Sequence, residues 1–226
     1  MIYRWIRKLA KKFLLGKYNS VNGLDKKLEK YVSYDNGFYV ELGANDGVTQ
    51  SNSLYFERHR KWRGVLIEPS PHNFLKCRKS RSSKNKVFCA ACVSFDYREE
   101  FVRIAYSNLM STSLGLPTDI SDGKGHARSG RRFLAPGEDV FEFGAVAKTL
   151  NDLLVQSGAP KTIDFLSLDV EGAELEVLKG VDHEVYRFKY ILVECRDLAR
   201  MSQYLASQSY HLVDSLSEQD YLFAAN

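Results

Sequence analysis

The sequence predicts an α/β domain whose sheet is mostly parallel, with an antiparallel pair of C-terminal strands at one edge. Short apolar stretches alternate with amphipathic ones from residue 38 onward, which is the pattern of βαβ units. The last two apolar stretches, 210–213 and 221–224, lie too close together for a helical crossover and should pair antiparallel. A chain of 226 residues with 44% hydrophobic content suits one sizeable core.

The other predicted elements follow from periodicity and from turn signals. We expect further strands at 38–42, 64–67, 86–93, 100–105, 163–168 and 190–193. Helices are expected at 24–32, 51–58, from Pro71 onward, and at 149–156, 172–179 and 199–207, with Thr149 as an N-cap and Gly180 as a stop. The stretch 106–137 is rich in Ser, Gly, Asp and Arg and has no clear periodicity, which is typical of functional or disordered loops.

The chain divides into a basic N-terminal appendage, 1–35, and a main domain, 36–226. In the appendage, Ile2, Trp5, Ile6, Leu9 and Phe13 have helical spacing, with Arg and Lys on the other face. This helix is expected either to dock on the main domain or a partner domain, or to make peripheral contact with an anionic membrane.

Charge and composition limit the function classes. Six of the 32 basic residues lie within 1–17, so the remainder carries slightly fewer basic than acidic residues and does not suit a nucleic-acid partner. The N-terminal segment lacks the apolar core of a signal peptide, and no stretch is apolar enough to span a membrane. With only four cysteines, a reducing, cytoplasmic location is expected, the alternative being a peripheral position at a membrane surface.

The strongest motif is the turn that follows the first strand, Glu41-Leu-Gly43-Ala-Asn45-Asp-Gly47. Glycines at a strand–helix turn let the backbone approach a ligand closely. A carboxylate at Glu41 would repel a pyrophosphate but suits a ligand with an ammonium group, such as S-adenosylmethionine. The alternative interpretation is an ordinary tight turn after a core strand.

Two further acidic strand ends follow. Glu68 ends the second strand, where a carboxylate can accept hydrogen bonds from ribose hydroxyls, or can simply be solvated. Asp169 and Glu171 follow the strand at 163–168, and Glu194 ends its neighbour. These acids could cap a helix, act as general base or hold a divalent cation, for which Asp169 and Glu194 are the candidate ligands of Mg²⁺ or Mn²⁺.

Together the segments Val40–Gly47, Ser51-Asn52-Ser53, Ile67-Glu68-Pro69 and Leu168–Glu174, with Leu178-Lys-Gly180, resemble the FkbM family of methyltransferases. The resemblance implies a Rossmann-like class I methyltransferase sheet and O-methylation of sugars, glycans or polyketide hydroxyls. It places Glu41, Gly43, Asn45 and Gly47 around the methionine part of S-adenosylmethionine and Glu68 on its ribose, with Ser51, Asn52 and Pro69 in the same motifs. Asp169 and Glu171 would border the reaction centre, and 106–137 would be the variable loop on the acceptor side.

From this we expect an S-adenosylmethionine-dependent O-methyltransferase whose acceptor is a sugar or glycan, lipid-linked or nucleotide-linked among the options. Asp169 is the expected catalytic group, with Glu171 and Glu194 assisting. His126 is the one histidine of interest as a base, and Cys89 and Cys92 are expected to have no metal or disulfide role. The alternatives are a polyketide-like acceptor, a nicotinamide-dependent oxidoreductase, a nucleic-acid methyltransferase and a binding module without catalysis.

Overall fold

The computed structural model describes residues 16–226, so the predicted N-terminal helix with its apolar stripe lies outside the described residues. The strands, in chain order, are β1 (Phe38–Leu42), β2 (Arg63–Ile67), β3 (Lys86–Phe88), β4 (Ala91–Val93), β5 (Phe101–Tyr106), β6 (Thr112–Leu114), β7 (Phe141–Thr149), β8 (Thr162–Leu168), β9 (Arg187–Glu194), β10 (Tyr210–Ser215) and β11 (Asp220–Ala225).

The α-helices of the described part are α1 (Leu24–Leu28), α2 (Leu54–Arg60), α3 (Pro71–Ser80), α4 (Gly123–Ser129), α5 (Leu150–Ser157), α6 (Glu174–Leu178) and α7 (Leu198–Ser207). Short 3₁₀ turns occur at Val21–Gly23, Asn108–Met110 and Gly130–Phe133. The predicted N-cap of α5 is confirmed, since the Thr149 hydroxyl accepts a hydrogen bond from the Asp152 amide.

Seven strands form the main sheet in the order β10-β11-β9-β8-β1-β2-β3. Strands β9, β8, β1, β2 and β3 pair in parallel, and β11 runs antiparallel to both β9 and β10. The predicted α/β class and the antiparallel C-terminal pair at one edge are therefore confirmed. This arrangement brings the carboxyl ends of β1, β2, β8 and β9 to one edge of the sheet.

A second sheet, in the order β4-β7-β5-β6, was predicted only in part. The expected strand at 86–93 divides, because β3 pairs with β2 whereas β4 pairs with β7. The strand β7 was not predicted, and 106–137 contains β6, α4 and two 3₁₀ turns rather than an irregular loop. Phe141 and Glu142 on β7 are exposed, so its sequence lacks the continuous apolar run of a buried strand.

The core lies on both faces of the main sheet. All five residues of β1 are buried, and alternate ones serve opposite faces: Val40 packs in one apolar cluster and Tyr39 in the other. Leu24, Leu28 and Val32 lie in the same cluster as Tyr39. Residues 24–32 thus pack on the main sheet through an apolar face.

The buried guanidinium of Arg81 joins β1 to the chain segments beside it. Its side chain is 0% exposed and forms ion pairs with Glu41, at 3.2 Å, and with Glu57, at 2.7 Å. It also donates to the Gly47 carbonyl at 3.1 Å and to the Ser53 hydroxyl at 2.8 Å. One cation therefore holds the end of β1, the turn after it and the start of α2 in register.

The described residues offer no membrane-crossing helix, since none combines the necessary length with sufficient apolar character. The cysteines Cys77, Cys89, Cys92 and Cys195 are free thiols. Cys89 lies between β3 and β4, and Cys92 lies on β4.

We expect Arg81→Met to destabilise the fold by about 3–5 kcal/mol, because it leaves two buried carboxylates without their counter-charge. Urea unfolding followed by circular dichroism measures this. The matched control is Arg103→Met, because Arg103 is 61% exposed and lies 3.6 Å from Glu142. Such exposed pairs contribute about 0–1 kcal/mol. Equal losses in the two variants would contradict the structural role of Arg81.

Candidate active site

A cavity of about 370 Å³ opens at the carboxyl edge of the main sheet. This is the edge at which open α/β sheets bind ligands, and the volume is within the usual range for small-molecule sites. Ten of the eleven site residues predicted from the sequence line it: Glu41, Gly43, Asn45, Ser51, Asn52, Glu68, Pro69, Asp169, Glu171 and Glu194. Gly47 does not line it.

The turn after β1 has no room for side chains at its two glycines. Gly43 has φ 72°, and a Cβ there would overlap the carbonyl oxygen of Asp169 at the end of β8. Gly47 has φ 78° and packs against Ser80 and Arg81. Both positions need glycine, the first where two strand ends meet and the second where the turn meets α3.

Glu68 holds this turn from the end of β2. Its carboxylate accepts hydrogen bonds from the backbone amides of Asn45 and Ser70, each at 2.9 Å. Burial raises the pKa of Glu68 to about 7, against the lowering effect of those two amides. The carboxyl group therefore changes charge near neutral pH while it lines the cavity.

Glu41 is engaged by the protein rather than left open for a cationic ligand. It accepts hydrogen bonds from the hydroxyls of Ser51, at 2.9 Å, and Ser53, at 2.5 Å, in addition to its Arg81 ion pair. The backbone amide of Asn52 also donates to it at 2.8 Å. Glu41 lines the cavity, but its carboxylate is not a free counter-charge for an ammonium group.

Asn52 provides an unused acceptor nearby. Its amide nitrogen donates to the Ser167 hydroxyl at 3.0 Å, and its carbonyl oxygen Oδ1 is buried without a hydrogen-bond partner among the described residues. An unsatisfied buried acceptor in a cavity suits a ligand that carries an N–H or O–H donor.

Asp169 and Glu194 form a carboxyl pair at the ends of β8 and β9. The two groups are close enough to share a hydrogen bond. Burial, followed by the Glu194 and Glu171 carboxylates, raises the pKa of Asp169 well above its usual range. Burial also raises the pKa of Glu194. Each carboxyl group of the pair is therefore harder to ionise than a solvent-exposed one.

Glu171 lies beside this pair and faces two cationic or polar partners. Its Oε2 is 2.8 Å from Nε2 of His126 and 3.3 Å from a guanidinium nitrogen of Arg196. Burial and Glu194 raise the pKa of Glu171 to about 8, whereas Arg196 opposes that rise. Glu174 anchors the same turn by accepting from the backbone amides of Val170 and Gly172.

The opposite wall of the cavity comes from residues 106–137, which we call the acceptor segment. The Asn45 side chain donates to Asn108 at 2.9 Å, and Asn108 in turn donates to the Phe133 carbonyl at 2.8 Å. The Thr112 hydroxyl donates to the Glu171 carbonyl at 2.6 Å. These long-range polar contacts fix the segment over the cavity. The residues it contributes to the lining are Asn108, Leu109, Met110, Ser111, Ser113, Leu116, His126, Arg132 and Phe133.

Sequence reasoning missed several of these groups. Asn108 and Arg81 lie outside recognisable motifs, and their roles depend on contacts with residues tens of positions away. His126 was of interest as a base from the sequence, but its contact with Glu171, which is 45 positions distant, was not predicted.

No metal centre with three or more protein ligands is formed by His, Cys, Asp or Glu within residues 16–226. Asp169 and Glu194, the candidate ligands, remain a pair of oxygen donors. Mg²⁺ commonly binds through one or two carboxylates with water and substrate, so the donor type fits a hard cation.

Among solved structures, the chain is similar to methyltransferase FkbM from Methylobacillus flagellatus, with 16% identity and a TM-score of 0.49. The match covers 84% of this chain and 44% of that one, so this chain spans less than half of that protein. It is also similar to a precorrin-6y C5,15-methyltransferase from Geobacter metallireducens, with 10% identity, a TM-score of 0.46 and 92% of each chain covered. A third is a putative RNA methyltransferase from Pyrococcus horikoshii, with 10% identity, a TM-score of 0.42, and 90% of this chain and 81% of that one covered.

No curated protein matches the sequence. The model of the methyltransferase FkbM domain matches residues 41–223, which include every strand end that lines the cavity. Because that match extends over most of the sequence, the chain belongs to the FkbM family of methyltransferases.

Proposed function

We propose that the protein is an S-adenosylmethionine-dependent O-methyltransferase that acts on a hydroxyl group of a sugar or glycan. The observation that carries this proposal is the composition of the cavity. A glycine turn and Glu68 form one wall, the acceptor segment forms the other, and three carboxyl groups lie at the strand ends between them.

The cofactor side has donors and acceptors that suit S-adenosylmethionine. Glu68 would accept from the ribose hydroxyls, and the unpaired Asn52 Oδ1 would accept from the ammonium of the methionine part. The absence of a Cβ at Gly43 lets the turn pack directly against the Asp169 carbonyl. When bound, the cofactor supplies a methyl group activated by the positive sulfur.

The acceptor side combines polar and aromatic groups, as sugar-binding sites do. Ser113 has a buried hydroxyl without a partner among the described residues, and Phe133 offers a ring with the Arg132 guanidinium 4.8 Å from its centre. A hydroxyl-rich ligand would satisfy Ser113 and pack on Phe133. A polyketide-like hydroxyl remains the alternative acceptor.

Asp169 is proposed to hold and polarise the acceptor hydroxyl. Burial raises the pKa of both Asp169 and Glu194. A carboxyl group that carries a proton can donate a hydrogen bond as well as accept one, which orients a hydroxyl group. A Mg²⁺ or Mn²⁺ ion bound by the two carboxylates would do the same by drawing electrons from the oxygen. Glu171 borders the same space.

Calorimetry should detect S-adenosylhomocysteine binding to the wild-type protein and no binding of NAD. Asn52→Ala and Glu68→Ala should each weaken that binding by about 10-fold or more, because each removes a hydrogen-bonding group. Gln156→Ala is the matched control, since Gln156 is an exposed amide on α5 that does not line the cavity. Tight NAD binding would contradict the methyltransferase assignment.

The binding should also depend on pH through Glu68. Its raised pKa of about 7 means that the carboxylate, the form that accepts from both ribose hydroxyls, predominates only above that pH. Affinity for S-adenosylhomocysteine should therefore rise between pH 6 and pH 8 and flatten in Glu68→Gln. A wild-type affinity that falls over this range would show that Glu68 does not bind the ribose.

Activity is tested with methyl-labelled S-adenosylmethionine and a panel of methyl glucoside, methyl mannoside, methyl rhamnoside, UDP-glucose and a non-sugar alcohol. We expect label on a sugar. Asp169→Asn should lower kcat by about 100-fold or more, since an amide can neither exchange a proton with Glu194 nor bind a cation as a carboxylate does. If EDTA abolishes activity and Mg²⁺ or Mn²⁺ restores it, the carboxyl pair holds a cation. An unimpaired Asp169→Asn enzyme would place the reaction elsewhere.

A further inference from the structure

One histidine of the acceptor segment faces the carboxyl groups across the cavity. His126 lies on α4, and its side chain and that of Glu171 are each 14% exposed. Nε2 of the ring is engaged by Glu171 at 2.8 Å. Nδ1 has no hydrogen-bond partner among the described residues and is not a buried atom. One ring nitrogen is thus fixed, and the other is accessible in a residue that lines the cavity.

The backbone of Glu171 adopts an uncommon conformation at this contact. Its φ is 56°, in the left-handed region that residues other than glycine seldom adopt, and Gly172 follows with φ 108°. Such a conformation is unfavourable for residues other than glycine and persists only where surrounding contacts impose it. Here Glu174 binds the amides on both sides of Glu171, and Thr112 binds its carbonyl.

The charges around the ring favour a neutral imidazole with a proton on Nε2. Arg196 can only donate, and it donates to the same Glu171 oxygen that faces Nε2, so this oxygen acts as an acceptor. Burial lowers the pKa of His126, and the Arg196 guanidinium lowers it further, while Asp119 opposes them. Arg196 is itself held by Asp119 at 3.4 Å.

We propose that His126 is the general base of the methyl transfer and that Glu171 is its positioning residue. This inference rests on the hydroxyl methylation proposed above and names the group that removes the proton. It differs from the role given to Asp169, which is to hold and polarise the acceptor hydroxyl.

The acceptor oxygen forms a bond to the methyl carbon while the carbon–sulfur bond breaks, and its electron pair stays on sulfur to give neutral S-adenosylhomocysteine. The hydroxyl proton passes to Nδ1 of His126. The imidazolium so formed is stabilised by Oε2 of Glu171, which accepts from Nε2, and it returns its proton to water after the product leaves.

The first measurement needs no acceptor. In ¹⁵N-labelled protein, the ring signals of His126 are assigned by their loss in His126→Asn. At pH 7.5 we expect the neutral tautomer with the proton on Nε2 and none on Nδ1. In Glu171→Gln this tautomer should lose its preference, which a purely structural role of Glu171 would not cause. A ring protonated on Nδ1 in the wild-type protein would overturn the proposal.

The second measurement uses the sugar that the wild-type protein labels. His126→Ala should lower kcat by about 100-fold or more while S-adenosylhomocysteine binding stays unchanged, and added imidazole should restore part of the lost rate. Asp169→Asn should not respond to imidazole. His211→Ala, a change at an exposed histidine on the edge strand β10, is the control and should keep full activity.

The outcomes separate this inference from the proposed function. If the wild-type protein binds no S-adenosylhomocysteine and labels no acceptor, the proposed function fails and this inference with it. If the wild-type protein methylates a sugar and His126→Ala keeps its kcat, only the assignment of His126 fails. Joint loss of cofactor binding and activity in both His126→Ala and His126→Asn would also overturn it, because a base acting on the acceptor leaves cofactor binding intact.

Discussion

The geometry of the site depends on the buried ion pair between Arg81 and Glu41. A guanidinium with no solvent contact needs partners for all its donors, and it finds them in Glu41, Glu57, the Gly47 carbonyl and the hydroxyls nearby. Those partners belong to β1, α2 and the turn between them. A ligand that binds at this turn therefore meets a preformed surface. Glu41, which lines the cavity, helps to hold that surface in place through its ion pair with Arg81.

A second constraint is the crowding of acids at the carboxyl edge. Parallel strands bring Asp169 and Glu194 together because β8 and β9 are neighbours in register, with Leu168 opposite Val193. Neighbouring buried carboxyl groups raise one another's pKa, because the negative charge of one disfavours ionisation of the next. Arg196 offsets part of the charge at Glu171. The electrostatics of the cavity thus follow from strand order as much as from the individual residues.

The parts of the molecule that local pattern determines were predictable. Strands β1, β2, β8, β9, β10 and β11 have apolar periodicity. The acids at the carboxyl ends of β1, β2, β8 and β9 line the cavity. The buried ion pair between Glu41 and Arg81 could not be predicted, because the two residues are 40 positions apart in the sequence. The second sheet was largely missed, since β7 alternates exposed and half-buried residues, and the order within 106–137 depends on single hydrogen bonds such as Asn45 to Asn108.

The way the acceptor segment joins the fold has an evolutionary consequence. It begins at the end of β5, at Tyr106, and β7 follows it at Phe141. These two residues pair on adjacent strands, and the segment itself adds β6 to the same sheet. A chain segment with adjacent ends can be exchanged, lengthened or shortened at small cost in loop-closure entropy, which grows only slowly with loop length. The main sheet, with the turn after β1, need not change. Under the proposed function, selection for a new acceptor can act on this one segment, provided that His126 keeps its contact with Glu171.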